Sequence, residues 1–203
     1  MTADETPGPE PSPRRIRPGG RAARVVASVQ AATVDLLPAR GYGELGIPAI
    51  AEAAKVDKTS IYRRWPSKAE LVLDVALNRV DMEVPIPDTG NLADDLAMLL
   101  RAIAKLLASP FGEGLLDTLI GRGRQGMTLR RARIAFWNAR FSTAKQIVEQ
   151  AIHRREVPAQ TDPRQLLELA AAALLFRFLL TTEPITEAEI DVLARRAIAA
   201  FRQ

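Results

Sequence analysis

The sequence predicts an all-α fold built in two unequal parts, and three observations carry the prediction. Apolar residues recur with the 3.6-residue helical period through most of the 203-residue chain. Glycine and proline gather at the ends of those periodic stretches, where helices stop and start. No alternating apolar–polar run extends beyond a few residues, so no strand pattern competes.

Residues 1–18 are rich in proline, glycine and charge and hold almost nothing to bury, so a disordered segment is expected there. Arg14, Arg15, Arg17 and, just beyond, Arg21 make it a basic arm. Such an arm either reaches into a DNA minor groove or acts as a solubilising tail.

A first helix follows from about Gly20 to Arg40, with Ala22, Val25, Val26, Val29, Ala32, Thr33, Leu36 and Leu37 on one face. Pro38 weakens its end and Gly41 closes it. In the next loop Tyr42 and Leu45 read as core plugs, and Tyr42 also offers a hydroxyl to a phosphate.

The stretch IPAIAEAAKVDKTSIYRRWP, Ile47 to Pro66, is the centre of this first part. Ile47, Ile50, Ala51 and Ala54 form the stripe of a short helix, Val56 plugs a tight turn, and Asp57 is an N-cap. Ile61 and Trp65 mark the buried side of a second short helix. Its other side carries Lys58, Thr59, Ser60, Tyr62, Arg63 and Arg64. Cations and hydroxyls on the second helix of such a pair suit entry into a DNA major groove, as in a helix-turn-helix. An ordinary solvated helical hairpin would carry a similar face.

Charge distribution favours DNA. From Arg14 to Lys68 there are eleven Lys and Arg against four Asp and Glu, whereas acids outnumber bases in the remainder, although the whole chain is only +4. Ser67 and Glu70 form a capping box that opens a helix to about Val84. Lys68 in its first turn opposes the helix dipole, and a nearby phosphate would relieve that mismatch.

Ile50-Ala51, Ala54, Val56, Lys58, Ile61-Tyr62, Trp65, Ser67-Lys68 and Leu71, preceded by Gly41-Tyr42 and Leu45, resemble the DNA-binding segment of the TetR family of bacterial transcription repressors. The resemblance covers residues 20–84. It implies that Lys58 to Arg64 lie against DNA, with Tyr62 and Lys68 on phosphates. Two positions depart from the family pattern. Lys55 stands where the turn usually has glycine, and Gly46 stands where Thr or Ser usually opens the first helix of the motif. If the turn keeps its left-handed geometry, Lys55 bears a strain of about 1 kcal/mol.

The second part, 67–203, reads as helix throughout. The proline-rich EVPIPDTG is a linker, and Asn91, Asp94 and Asp95 open a helix to about Ala108 with Leu92, Leu96, Leu99, Leu100, Ile103, Leu106 and Leu107 as its apolar face. Ser109-Pro110 starts a shorter helix through Leu115, Leu116, Leu119 and Ile120, ending in GRGRQG. A long helix from about Thr128 to Arg155 places Ile134, Phe136, Trp137, Phe141, Ile147, Val148, Ala151 and Ile152 at apolar positions. Asp162-Pro163 caps an almost wholly apolar helix to about Leu180. Thr186 and Glu189 form a second capping box before the last helix. From PDTGNLADDL onward this part resembles an actinobacterial-type subgroup of TetR C-terminal domains, which implies an effector pocket and a dimer surface.

Candidate pocket residues are Leu99, Ile103, Leu116, Phe136, Trp137, Phe141 and Phe178, with Asn138, Arg140 and Arg177 as polar members. Each is equally at home in a core or on a surface. An apolar lining of this kind suits a hydrophobic effector with few polar groups. A helix apolar on more than one face needs more than one partner. The last two helices are therefore expected to pair with a second copy of the chain through Ala170, Leu174, Ile190, Leu193, Ala197 and Phe201.

Composition narrows the chemistry. Without cysteine there is no disulfide, thiolate metal site or thiol nucleophile. The one histidine, His153, stands at a helix C-terminus, where a cation is structurally favourable. No phosphate loop or nucleophile elbow occurs, and neither a cofactor nor a metal is expected. The N-terminal segment lacks the apolar core of a signal peptide, and Glu168 and Arg177 interrupt the longest apolar run, so a cytoplasmic location is expected. The sequence thus points to a three-helix DNA-binding domain, 19–66, followed by a larger helical ligand and dimerisation domain. Together they would form a homodimeric, non-enzymatic regulator of the repressor type on a palindromic operator. The alternative is a helical small-molecule carrier whose basic helix pair is incidental.

Overall fold

The computed structural model describes residues 20–120, 127–181 and 183–202. The basic arm at 1–18 with Arg17, and the GRGRQG segment, lie outside the described residues. The backbone of Arg21 opens the first helix, but its side chain is outside them too.

Helix α1 (Arg21–Glu44) buries Val29, Thr33 and Leu37 along one stripe, and Thr33 satisfies its buried hydroxyl by donating to the Val29 carbonyl at 2.8 Å. It runs through Pro38 and kinks at Gly41, whose φ of 67° and ψ of 161° are open to glycine and costly for other residues. Helices α2 (Ile47–Ala54) and α3 (Lys58–Tyr62) form the compact pair anticipated from sequence, with α2 packed on α1, α3 packed on α2, and Ile47, Ile50, Ala51 and Ile61 buried. Helix α4 (Lys68–Glu83) follows and packs on α1, α5 and α7. Its Ser67 cap is only half of the expected box. Ser67 Oγ accepts from the Glu70 N–H at 3.2 Å, but the Glu70 carboxylate bonds the Ser67 hydroxyl instead of its backbone N–H.

Five more α-helices follow among the described residues: α5 (Leu92–Leu107), α6 (Pro110–Ile120), α7 (Met127–His153), α8 (Pro163–Phe176) and α9 (Glu187–Ala199). No β-strand occurs among the described residues. The Thr186–Glu189 capping box opens α9 as expected. Helix α5 is the axis of this part, touching α4, α6, α7, α8 and α9, and Arg101 clamps it to α9 through Glu187 and Asp191. The two parts are not independent, because α6 lies along α1. Gly114 makes that approach possible: a Cβ there would stand 3.3 Å from both the Leu37 carbonyl oxygen and Pro38 Cα.

Asp95, expected to serve only as a helix-start acid, is wholly buried. It accepts from the Thr89 N–H at 2.6 Å, and Arg154 lies 3.5 Å from its other oxygen. Beside it Glu156 accepts the Leu92 N–H at 2.7 Å, so a side chain beyond the end of α7 caps the start of α5. Burial pushes the Glu156 carboxyl up, but the Leu92 N–H and the Arg154 guanidinium outweigh it and hold its pKa below the ordinary value.

Several expectations are corrected. The apolar helix from 163 does not stay α-helical to Leu180; it changes at Arg177 to a π-helical turn, Arg177–Thr181. Ile134 and Trp137 are exposed at 53% and 36%, because that flank of α7 borders an open cavity rather than packed core. Most consequentially, Ala170, Leu174, Ile190 and Ala197 are each only 2% exposed within a single chain. Packed inside the protomer, these four offer almost no surface to a second chain. Helix α8 has more partners within its own chain than its apolar pattern reveals, packing on α5, α7 and α9. The apolar residues that α8 and its π turn leave outside are Leu169, Phe176, Leu179 and Leu180, 41–70% exposed. Leu193 and Phe201 are half-buried.

Candidate nucleic-acid interface

The turn between α2 and α3 is made by Lys55, whose φ of 55° and ψ of 45° are left-handed. The Val56 N–H reaches back to the Ala51 carbonyl at 3.0 Å and the Lys55 N–H to that of Glu52 at 3.1 Å, which closes α2 in the manner of a Schellman motif. This is the geometry anticipated for the position, with lysine accepting the strain a glycine would avoid. Asp57 then caps α3, accepting from the Thr59 N–H at 2.7 Å and the Thr59 hydroxyl at 2.6 Å. These two bonds hold its carboxyl below the usual aspartate range.

On the inner side of α3, Ile61 is fully buried and Trp65 is 4% exposed. The Trp65 indole Nε1 donates to Asp74 Oδ2 on α4 at 2.9 Å, so the pair is bolted to the next helix. With these residues fixed inward, Lys58, Thr59, Tyr62, Arg63 and Arg64 are exposed on the outer side and Ser60 is half-buried. The side chains are not equally disposed. Thr59 commits its hydroxyl to the cap, and Arg64 lies back over the Trp65 ring at 5.2 Å. Lys58, Tyr62 and Arg63 form the outward part of the face.

Tyr42 and Lys68 come together behind this face. Lys68 Nζ donates to the Tyr42 carbonyl at 2.6 Å and the Gly43 carbonyl at 3.4 Å, and stands 4.3 Å over the Tyr42 ring. Burial lowers the Lys68 pKa and raises that of the Tyr42 phenol. The unfavourable placement of Lys68 at a helix start, which suggested a phosphate partner, is thus already relieved by carbonyls at the end of α1. No local sequence signal joins positions 26 residues apart.

A second concave feature lies in the C-terminal part. A cavity of about 840 Å³, open on one side to solvent, is bordered by α4, α5, α6, α7 and α8. Of the expected pocket residues it gathers Leu99, Ile103, Leu116, Phe136, Trp137 and Phe141, with Asn138 and Arg140. Phe178 is not among its walls, because the π turn carries it beyond the cavity. Arg177 is also elsewhere, paired with Glu189 at 2.8 Å. The sequence reading missed Arg130, Arg133 and Arg164 in the lining and Asp81 as the partner of Arg140.

His153 is exposed on the last turn of α7. Among the described residues no group of three or more His, Asp and Glu side chains is placed to hold a metal, and no helix is long and apolar enough to cross a membrane.

Known proteins bear on both features. Residues 30–75 match the family described as bacterial regulatory proteins, tetR family, and residues 86–197 match the tetracyclin repressor-like C-terminal domain. The HTH-type transcriptional regulator AqdR of Rhodococcus erythropolis is 33% identical over 157 residues, 77% of this chain and 74% of that protein. The DNA-binding transcriptional repressor TetR of Mycobacteroides abscessus is 30% identical over 167 residues, 81% of this chain and 86% of that protein. The crystal structure of the TetR family transcription regulator SCO0332 aligns with a TM-score of 0.73 at 28% identity, covering 87% of this chain and 97% of that one.

Proposed function

The chain belongs to the TetR family of bacterial regulatory proteins, and on that premise we propose that it binds a palindromic DNA operator as a homodimer and represses until an effector fills its C-terminal cavity. The observation that carries this reading is the two-sided construction of α3. Ile61 and Trp65 hold its inner side in the core, so the Lys58, Tyr62 and Arg63 face is presented as a rigid unit. Cationic groups on such a face neutralise phosphates, and Lys58 with Ser60 near the helix N-terminus is positioned to read base edges.

The dimer would form through Leu169, Phe176, Leu179 and Leu180, the apolar residues left outside the protomer core. A two-fold axis there sets two α3 helices on successive major grooves, about 34 Å apart for adjacent half-sites. A change in α4 alters that spacing, because α4 is joined to α3 through Trp65 and Asp74 and forms part of the cavity wall through Val80 and Val84. Effector and operator affinities are then reciprocally coupled.

The experiment is retention of genomic DNA fragments by the purified chain, followed by titration of the retained fragment over a range of salt. An operator-binding dimer gives a steep negative dependence of log affinity on log salt, about 0.9 for each phosphate neutralised. Arg63→Ala lowers that slope by about 1, whereas Lys58→Ala changes which sequence is preferred. No retention at any salt would leave a helical small-molecule carrier instead.

A further inference from the structure

The cavity is apolar along most of its wall, yet its charged members are almost all of one sign: Arg130, Arg133, Arg140 and Arg164 against Glu168. Arg164 is answered by Glu168, Nε to Oε1 at 2.8 Å, and lies 4.6 Å over the Phe141 ring. Arg133 donates to the Leu119 carbonyl at 3.0 Å. By formal charge, cations outnumber acids in the lining.

Arg140 is the most deeply placed of these cations, buried on the inner side of α7. Its guanidinium is engaged at the end of α4, with Nη1 donating to Asp81 Oδ1 and Nη2 reaching the Val84 carbonyl at 3.5 Å. A guanidinium carries five N–H donors, more than these contacts use. The Asp81 side chain is 56% exposed and outside the cavity lining, so water competes for its carboxylate while the cation faces a low-dielectric wall. Such a pair is open to exchange by an anion that arrives from the cavity side.

Resting on the regulator reading above, we propose that the cavity takes an amphiphile with an apolar body and one carboxylate-like anionic group, and that this group replaces Asp81 on Arg140. The apolar body fills the space between Leu99, Leu116, Phe136 and Phe141. The anion takes the place of the Asp81 carboxylate, and α7 loses this ionic link to the last turn of α4. The hydrophobic effector with few polar groups expected from the leucine and aromatic pattern is thereby narrowed to one whose polar group is an anion. The residue that selects the ligand is also the residue that holds the helix leading to the DNA.

The test is calorimetric titration of the full chain, without DNA, with two pairs of probes: octanoate against octanol, and naphthoate against naphthalenemethanol. In at least one pair the carboxylate binds about tenfold or more tightly than its neutral partner, as expected for a charge-assisted hydrogen bond to a guanidinium. Because Arg140→Gln risks the fold, the second arm is Asp81→Asn. It tightens carboxylate binding severalfold by removing the competitor and leaves the alcohols unchanged. Equal affinities within both pairs, no binding by either carboxylate, or an unchanged carboxylate affinity in Asp81→Asn overturns the inference. If the alcohols alone bind and release the chain from DNA, effector-controlled regulation stands and the anionic ligand falls. If the carboxylates bind with the stated preference but the chain retains no DNA at any salt, the ligand class stands and the regulator reading falls.

Discussion

The Trp65 indole N–H meets the Asp74 carboxylate at 2.9 Å, nine residues along the chain and across the corner between α3 and α4. Through this bond a residue fixed by the DNA-facing unit is held by the helix that also borders the cavity. Trp65→Phe keeps most of the packing and removes the donor. It should cost about 1–2 kcal/mol, lowering the melting temperature by about 2–8 °C, with a further loss of operator affinity as α3 loosens. A melting temperature equal to wild type would show that the bond contributes nothing.

Lys55 occupies left-handed backbone at φ 55° without being glycine or asparagine. Lys55→Gly should stabilise the chain by up to about 1 kcal/mol, the relief of Cβ strain exceeding the entropy that glycine adds to the unfolded state. Urea unfolding midpoints of the two proteins decide it, and a lower midpoint for the glycine variant would refute the strain.

Phe176 and Leu180 are 55% and 70% exposed, so Phe176→Glu with Leu180→Glu should leave the protomer folded while abolishing the dimer. Sedimentation at micromolar concentration should find a monomer with unchanged helicity, and operator affinity should fall about a hundredfold or more as the second half-site is lost. Ala197→Arg tests something else. At 2% exposure it puts a charge into the protomer core, and its effect should be unfolding. A double variant that stays dimeric would place the interface elsewhere.

Glu156 has a folded-state pKa below its ordinary value of 4.5. Its stabilising contribution is present above that value and is lost as the pH falls through the depressed folded one. Glu156→Gln should therefore be less stable than wild type at neutral pH and should show a shallower loss of stability as the pH falls below the ordinary glutamate value. Parallel urea midpoints across that range would exclude Glu156 as a source of acid sensitivity.

Local signals in the sequence determined the helices, their caps and the outward cationic face of α3. Asp57, Asn91, Asp162 and Thr186 cap where their side chains reach the first free N–H groups, an interaction confined to two or three neighbouring residues. The inner and outer sides of α3 follow from Ile61 and Trp65 by periodicity alone, and the family resemblance of 20–84 is carried by the same short stretch. What lies on the outside of the helical domain is not a local property. Ala197 and Phe176 are both apolar members of apolar helices, and only the crossing of α5, α7, α8 and α9 buries one and exposes the other. The charge pairings follow the same logic. Lys68 with Tyr42, Arg154 with Asp95 and Arg140 with Asp81 join residues 26, 59 and 59 positions apart, and a charged side chain can name its partner only after the chain has brought the two together.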